Sequence, residues 1–171
     1  MTPSEMSIAV LDLGILIRIE GRADCSCGAG LKKIFQNTVA DGTRCFFLDL
    51  RKCNIMDSTF LGVLAGVCLK TKKMTGYGGP LTIELHHPNA RILELLDNLG
   101  VLKLFNIIQN SPLIQVDTGE LELTEKPTDA VDLVETSLEA HKTLMEYDSQ
   151  NIPKFKAVAQ FLEEDLKRKS A

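Results

Sequence analysis

Asn54-Ile55-Met56-Asp57-Ser58-Thr59-Phe60-Leu61-Gly62-Val63 is the stretch on which the reading of this chain turns. Ahead of it, Cys45-Phe46-Phe47-Leu48-Asp49-Leu50 is a short apolar run of strand type. The nearly unbroken apolar character from Phe46 to Leu50 suits a strand buried on both faces. Behind it, Leu61, Leu64, Val67, Cys68 and Met74 fall on one face at helical spacing. The ten residues therefore read as a strand-to-helix junction. Asp57 or Ser58 is placed to cap the new helix, where a side-chain oxygen accepts from free backbone N–H groups. The same helix end favours negative charge, so a phosphate on Ser58 would sit at a tolerant position. The simplest reading of Asp-Ser-Thr is an N-cap alone.

Working outward, Ile8-Ala9-Val10-Leu11 and Ile15-Leu16-Ile17-Arg18-Ile19 read as a hairpin, with Gly21 breaking its second strand. Asp24 or Ser26 can cap a helix that runs to about Ala40, with Leu31, Ile34, Phe35 and Val39 at helical spacing. The helix after Asp57 is expected to end at Thr75-Gly76, followed by the loop Gly78-Gly79-Pro80. Leu81 to Leu85 reads as a fourth strand, and His86-His87 before Pro88 as loop. Pro88-Asn89 opens a third helix with Ile92, Leu95, Leu96 and Leu99 on one side, closed by Gly100. Strands alternating with helices imply an α/β protein, a mixed sheet with helices packed against it.

At 171 residues the chain can bury a sizeable core, and the absence of tryptophan makes that core aliphatic. A net charge of −4 argues against nucleic acid as a partner, since no basic surplus is left to neutralise phosphates. Lys70, Lys72 and Lys73 read as a last helical turn that complements the dipole. No basic cluster precedes an apolar run at the N-terminus, and Ile8 to Ile19 is broken by Asp12, Gly14 and Arg18. A cytoplasmic protein without membrane insertion is expected. Five cysteines cannot all pair within one chain, and Cys45 and Cys68 sit in apolar contexts. Cys25-Ser26-Cys27 lacks the spacing and second ligand pair of a zinc site, so no metal or cofactor is expected. Cys25 and Cys27 do lie close to a helix start, which could lower a thiol pKa. Gly76-Tyr77-Gly78-Gly79-Pro80 lacks the lysine of a phosphate-binding loop, no Gly-x-Ser-x-Gly occurs, and the three histidines have no obvious nucleophile beside them.

The order and spacing of these pieces resemble the STAS domain, the fold of bacterial anti-sigma factor antagonists and of domains in anion transporters. The resemblance covers roughly residues 6 to 118. It rests on Leu48-Asp49-Leu50, then Asp57-Ser58-Thr59 with Gly62 inside the next helix. It includes Gly21-Arg22-Ala23-Asp24, where the family has Gly-x-Leu-Asp, and Asn98-Leu99-Gly100-Val101-Leu102-Lys103-Leu104-Phe105 near the end of the fold. The resemblance implies a STAS-like mixed β-sheet and no enzymatic activity. It also implies a protein that captures a serine kinase acting as anti-sigma factor, is phosphorylated by it on the serine of the Asp-Ser motif, and is reset by a phosphatase. Ser58 stands at that serine, with Thr59 as second choice. Asp24, Asn54, Asp57, Ser58, Thr59, Phe60 and Gly62 would form the partner surface. Two departures are plain: Ala23 replaces the customary leucine, and Phe60 stands where glycine is frequent. Phe60 would enlarge the contact surface or restrict the kinase.

A phosphoserine carries about −1.5 to −2 charges at pH 7. Asp57 beside it opposes that charge, as would Asp24 if the fold brings it near. A partner packed on this helix end would meet a hydrated dianion, and losing about 4 kcal/mol weakens binding roughly a thousandfold. Two other functions remain open: an accessory subunit of an ABC-type lipid transport system, and a thiol-dependent enzyme using Cys25 or Cys27.

Past Thr118 the chain changes. Residues 119–171 hold seven Lys/Arg against twelve Asp/Glu. Two domains follow, a STAS core over 1–118 and an acidic helical extension over 119–171. Pro127-Thr128 opens a helix with Val131, Val134, Leu138, His141 and Met145 on one stripe, and Asn151-Ile152-Pro153 punctuates it. A second helix places Phe155, Val158, Ala159, Leu162 and Leu166 on one face, giving a helical hairpin. The family has one helix after its last strand, so one of the two is surplus. His141, on an apolar stripe, reads as a packing residue rather than a phosphotransfer histidine. The extension could cover the core, form a homodimer through its helices or receive a partner.

Overall fold

Ile15, Ile17 and Ile19 alternate with Leu16 and Arg18, and that alternation sorts the sheet into two faces. The computed structural model describes residues 4–73, 79–112, 122–124 and 129–171. The elements run β1 (Glu5–Leu11), β2 (Gly14–Ala23), α1 (Cys25–Ala40), β3 (Cys45–Met56), α2 (Ser58–Lys72) and β4 (Thr82–His86). There follow α3 (Ala90–Asn98), a 3-10 turn (Leu102–Leu104), β5 (Asn106–Ile108), β6 (Glu122–Leu123), α4 (Ala130–Tyr147), a 3-10 turn (Ser149–Asn151) and α5 (Ile152–Ser170). The sheet order is β5-β4-β3-β2-β1-β6. β1 pairs antiparallel with β2 and β6, whereas β2–β3, β3–β4 and β4–β5 are parallel. The mixed sheet with helices packed on it is the architecture that both the alternation of elements and the STAS resemblance imply.

Register lines up the apolar residues across the strands. Ile15, Phe46 and Ile83 form one row and Ile17, Leu48 and Leu85 the next. These rows are buried with Leu31 and Phe35 of α1, Phe60, Leu61 and Leu64 of α2, and Ile92 and Leu96 of α3. The opposite face carries the row Arg18, Asp49 and His86. Asp49 is buried and bound by two arginines, Arg18 Nε at 3.0 Å and Arg51 Nη2 at 2.6 Å. Burial would raise its carboxyl, but the hydrogen bonds from Arg51 and Arg18 prevail and hold it at about 2.

Several expectations need correction. Gly21 does not break β2: the strand continues to Ala23, and Gly21 adopts φ 80° beside a register shift. That left-handed backbone, cheap only for glycine, absorbs a bulge. β3 is far longer than Phe46–Leu50 and runs to Met56, because it pairs with that extended end of β2. His86 belongs to β4 rather than to a loop; it is buried between Glu84 Oε2 at 2.7 Å and Ser111 Oγ at 3.1 Å. His87 follows with φ 55°. Met74, the Thr75-Gly76 helix end, most of the glycine loop, Pro127-Thr128 and the boundary at Thr118 lie outside the described residues.

The C-terminal hairpin of α4 and α5 forms, but its two helices differ in standing. α4 packs against α1 and α2, and its Ala140 and Leu144 belong to the core. An ideal Cβ on Gly62 of α2 would come within 2.6 Å of the Ala140 carbonyl oxygen, so the two backbones touch. The acidic extension thus contributes Ala140 and Leu144 to the same core as the sheet and its helices. α4 packs directly on the core, and α5 lies outside it on α4. α5 packs on α4 with Ala159 buried, but Val158, expected on the packed stripe, is 43% exposed and Phe161 60% exposed.

Candidate functional site

β2 and β3 end in register, with Ala23 paired to Met56. The next residues, Asp24 and Asp57, therefore stand together where α1 and α2 begin. Asp57 N–H donates to the Ala23 carbonyl at 3.0 Å, tying the two junctions. Each aspartate caps its helix: Asp24 accepts from Cys27 N–H at 3.0 Å and Asp57 from Phe60 N–H at 2.8 Å. Of the alternatives weighed from sequence, Asp57 rather than Ser58 and Asp24 rather than Ser26 are the caps. Burial pushes the Asp57 carboxyl up, and the Asp24 charge adds to the rise.

With Asp57 as cap, Ser58 becomes the first residue of α2, and its hydroxyl is free to point sideways. It meets α4: Ser58 Oγ lies 2.9 Å from His141 Nε2. Thr59 Oγ1 lies 3.0 Å from Ser137 Oγ, and Ser137 Oγ lies 3.4 Å from His141 Nδ1. Four polar side chains thus close a ring between the first turn of α2 and the middle of α4. Burial depresses the His141 pKa, against a smaller opposing effect from a hydrogen bond to the Ser137 backbone. In the Ser58 contact Nε2 accepts from the hydroxyl when the ring proton is on Nδ1 and donates to it when the proton is on Nε2. On its far side the ring packs on Phe155 of α5, with centroids 4.8 Å apart.

The expected partner-surface residues separate into two sets. Asn54 is exposed, and Asp24, Asp57 and Ser58 are half-buried, all near the rim where the two strands end. The Asn54 and Cys53 carbonyls accept from Asn89 Nδ2 at 3.0 and 3.1 Å, bracing this rim against the start of α3. Thr59 is buried under α4, Phe60 is fully buried in the core, and Gly62 is covered by Ala140. Phe60 therefore enlarges the core, not a contact surface. This corrects the reading of its substitution.

The thiols are also corrected. Burial raises Cys25, and the carboxylates of Asp57 and Asp24 raise it further, so the helix start does not activate it. Cys27 is buried, and its sulfur lies 3.0 Å from Ser4 Oγ. Burial pushes Cys53 to about 11 and Cys68 to about 12. One histidine does have a hydroxyl beside it, contrary to expectation, in the Ser58–His141 pair. With Asp24 and Asp57 at the same rim, that pair is poorly placed to stabilise a developing oxyanion. A hydroxyl at a helix N-terminus can, however, accept a phosphoryl group.

Sequence reasoning missed Ser137 and the contact of His141. The available signal was two polar residues one turn apart on an otherwise apolar stripe, which signals a partner without saying which. Among the described residues no group of three or more His, Cys, Asp or Glu is arranged to hold a metal ion.

Two solved structures are similar to this chain. One is the anti-sigma factor antagonist SpoIIAA in its unphosphorylated form, with TM-score 0.49 and 15% identity over 65% of this chain and 89% of that one. The other is an anti-sigma factor antagonist from Mycobacterium paratuberculosis, with TM-score 0.47 and 18% identity over 67% of this chain and 86% of that one. No family model matches the chain, and no curated protein matches it.

Proposed function

We propose that the protein is a non-enzymatic, cytoplasmic binding protein of the anti-sigma factor antagonist type. Its binding to a serine-kinase anti-sigma factor would be switched by phosphorylation of Ser58 and restored by a serine phosphatase. The observation that supports this most directly is the position of Ser58: first residue of α2, half-buried, at the rim shared with Asp24, Asn54 and Asp57. A neutral hydroxyl there lets a partner pack on the helix end, and a dianion beside two aspartates opposes it. Thr59, buried and bonded to Ser137, is the less accessible hydroxyl. A homodimer through the C-terminal helices belongs to the same reading, supported by the exposed Val158 and Phe161 of α5.

The test is intact-mass analysis and site mapping of protein isolated from its source, with titration of the co-purifying partner. Ser58→Ala should fold and bind, losing only a hydrogen bond of about 1 kcal/mol, whereas Ser58→Glu should bind weakly. Equal affinities for wild type and Ser58→Glu would overturn the switch. Co-purification with a transporter ATPase instead of a kinase would favour a transport subunit.

A further inference from the structure

Resting on Ser58 as the modified residue, we propose that His141 takes up a proton when Ser58 is phosphorylated and holds the phosphate as an imidazolium. α4 would then respond directly to the modification. In the unmodified protein the Ser58 hydroxyl and Nε2 are hydrogen-bonded across 2.9 Å, and the hydroxyl suits either ring tautomer because it donates and accepts. Phosphorylation forms an Oγ–P bond and breaks the bond between the γ-phosphorus of a nucleoside triphosphate and its diphosphate. The hydroxyl proton passes to solvent, the diphosphate leaves with the bridging oxygen, and His141 takes its own proton from solvent. Nε2 then faces phosphate oxygens, which only accept. A dianion only accepts, so helices that stay together require a proton on Nε2; the neutral Nε2–H ring meets that need, and the two negative charges favour the imidazolium over it.

Parting is opposed on both sides of the ring. Ala140, the residue before His141, touches the Gly62 backbone, and Leu144 one turn on is fully buried. Phe155 packs behind the imidazole. Among the described residues, His141 is hydrogen-bonded to the Ser58 hydroxyl of α2 and to Ser137 of its own helix and packs on the Phe155 ring of α5, none of them charged. Asp57 and Asp24 stand at the nearby rim. The neighbouring charges on α4 are already engaged, Glu139 by Lys32 and Lys70, and Lys142 by Glu163. Burial now keeps His141 neutral, and a phosphate dianion in hydrogen-bond reach reverses that preference.

The test uses the full chain with phosphoserine installed at position 58 during translation, followed by titration of the histidine ring signals by NMR. His141→Gln identifies the His141 signal by its loss. We expect a midpoint below the ordinary histidine value of about 6.5 in the unmodified protein and above it in the phosphoprotein. We expect the two midpoints to differ by at least one unit, a tenfold rise in proton affinity, with slow amide exchange kept along α4. An unmoved or lower midpoint, or α4 amides that exchange rapidly in the phosphoprotein, would overturn the proposal. No kinase or partner is needed for this measurement. If the midpoint rises and no partner responds to the phosphate, the functional reading fails and the coupling stands. If partner affinity falls while the His141 midpoint stays, the coupling fails and the functional reading stands.

Discussion

Two residues carry more than their size suggests. Asp49 lies buried on the far face of the sheet from the helices, held by Arg18 and Arg51. Its folded carboxyl titrates at about 2. Because that is below the unfolded value of about 3.9, the stabilisation is complete above about pH 4 and is lost as pH falls through 2. Asp49→Asn should cost about 2 kcal/mol at neutral pH, by linkage from that shift. Urea denaturation of both proteins down to acid pH should show the gap closing. A gap that is constant with pH would mean that packing, not charge, is lost. His141 has the opposite chemistry but the same sign: its folded pKa is lowered, so its contribution is present above the ordinary histidine range and fades as pH falls below it. Gly62 is the second residue. Alanine there would gain up to about 1 kcal/mol in helix propensity, but its Cβ meets the Ala140 carbonyl. We expect Gly62→Ala to lose about 1–3 kcal/mol, as overpacked sites do. A raised Tm would show that α4 can yield.

At the scale of elements, α4 and α5 should behave differently when removed. Truncation after residue 151 takes away a helix that contributes one buried residue, Ala159, and the Phe155 ring behind His141. That protein should fold, with a lower midpoint. Truncation after about residue 126 also removes Ala140 and Leu144 from the core, and with them the α4 wall of a cavity of about 300 Å³ that Phe35, Val63 and Val67 line. Circular dichroism and sizing should show loss of cooperative folding; a folded, monomeric fragment would restore the self-sufficient core expected from the charge change at Thr118. What was legible from the residues follows the same division. Helices α1, α2 and α3 were readable, because caps and apolar periodicity are local signals. The long ends of β2 and β3 were not, since Gly21, Arg51, Lys52 and Asn54 look like breakers until the strands pair and a bulge gives glycine a purpose. The rim of Asp24, Asn54, Asp57 and Ser58 was legible as a motif. Its lid was not, because Ser58 and His141 are 83 positions apart and nothing local joins them.

For the whole molecule, charge and apolar surface are unevenly placed. α5 shows Val158 and Phe161 to solvent, with Ile152 at 42% exposure near its start. If this surface joins two copies, sedimentation should report association that grows with concentration, and Phe161→Asp should be monomeric with unchanged Tm. Concentration-independent monomers in both would remove the homodimer. The distance along the chain between the serine and its histidine also sets an order in time. A ribosome adds roughly 5–20 residues each second, so the 83 positions from Ser58 to His141 take roughly 4 to 16 s to synthesise. During that interval the nascent chain presents the hydroxyl with no imidazole against it, on a core still missing Ala140 and Leu144. A kinase acting then would modify a different object from the finished protein, one on which the phosphate has no counter-ion waiting.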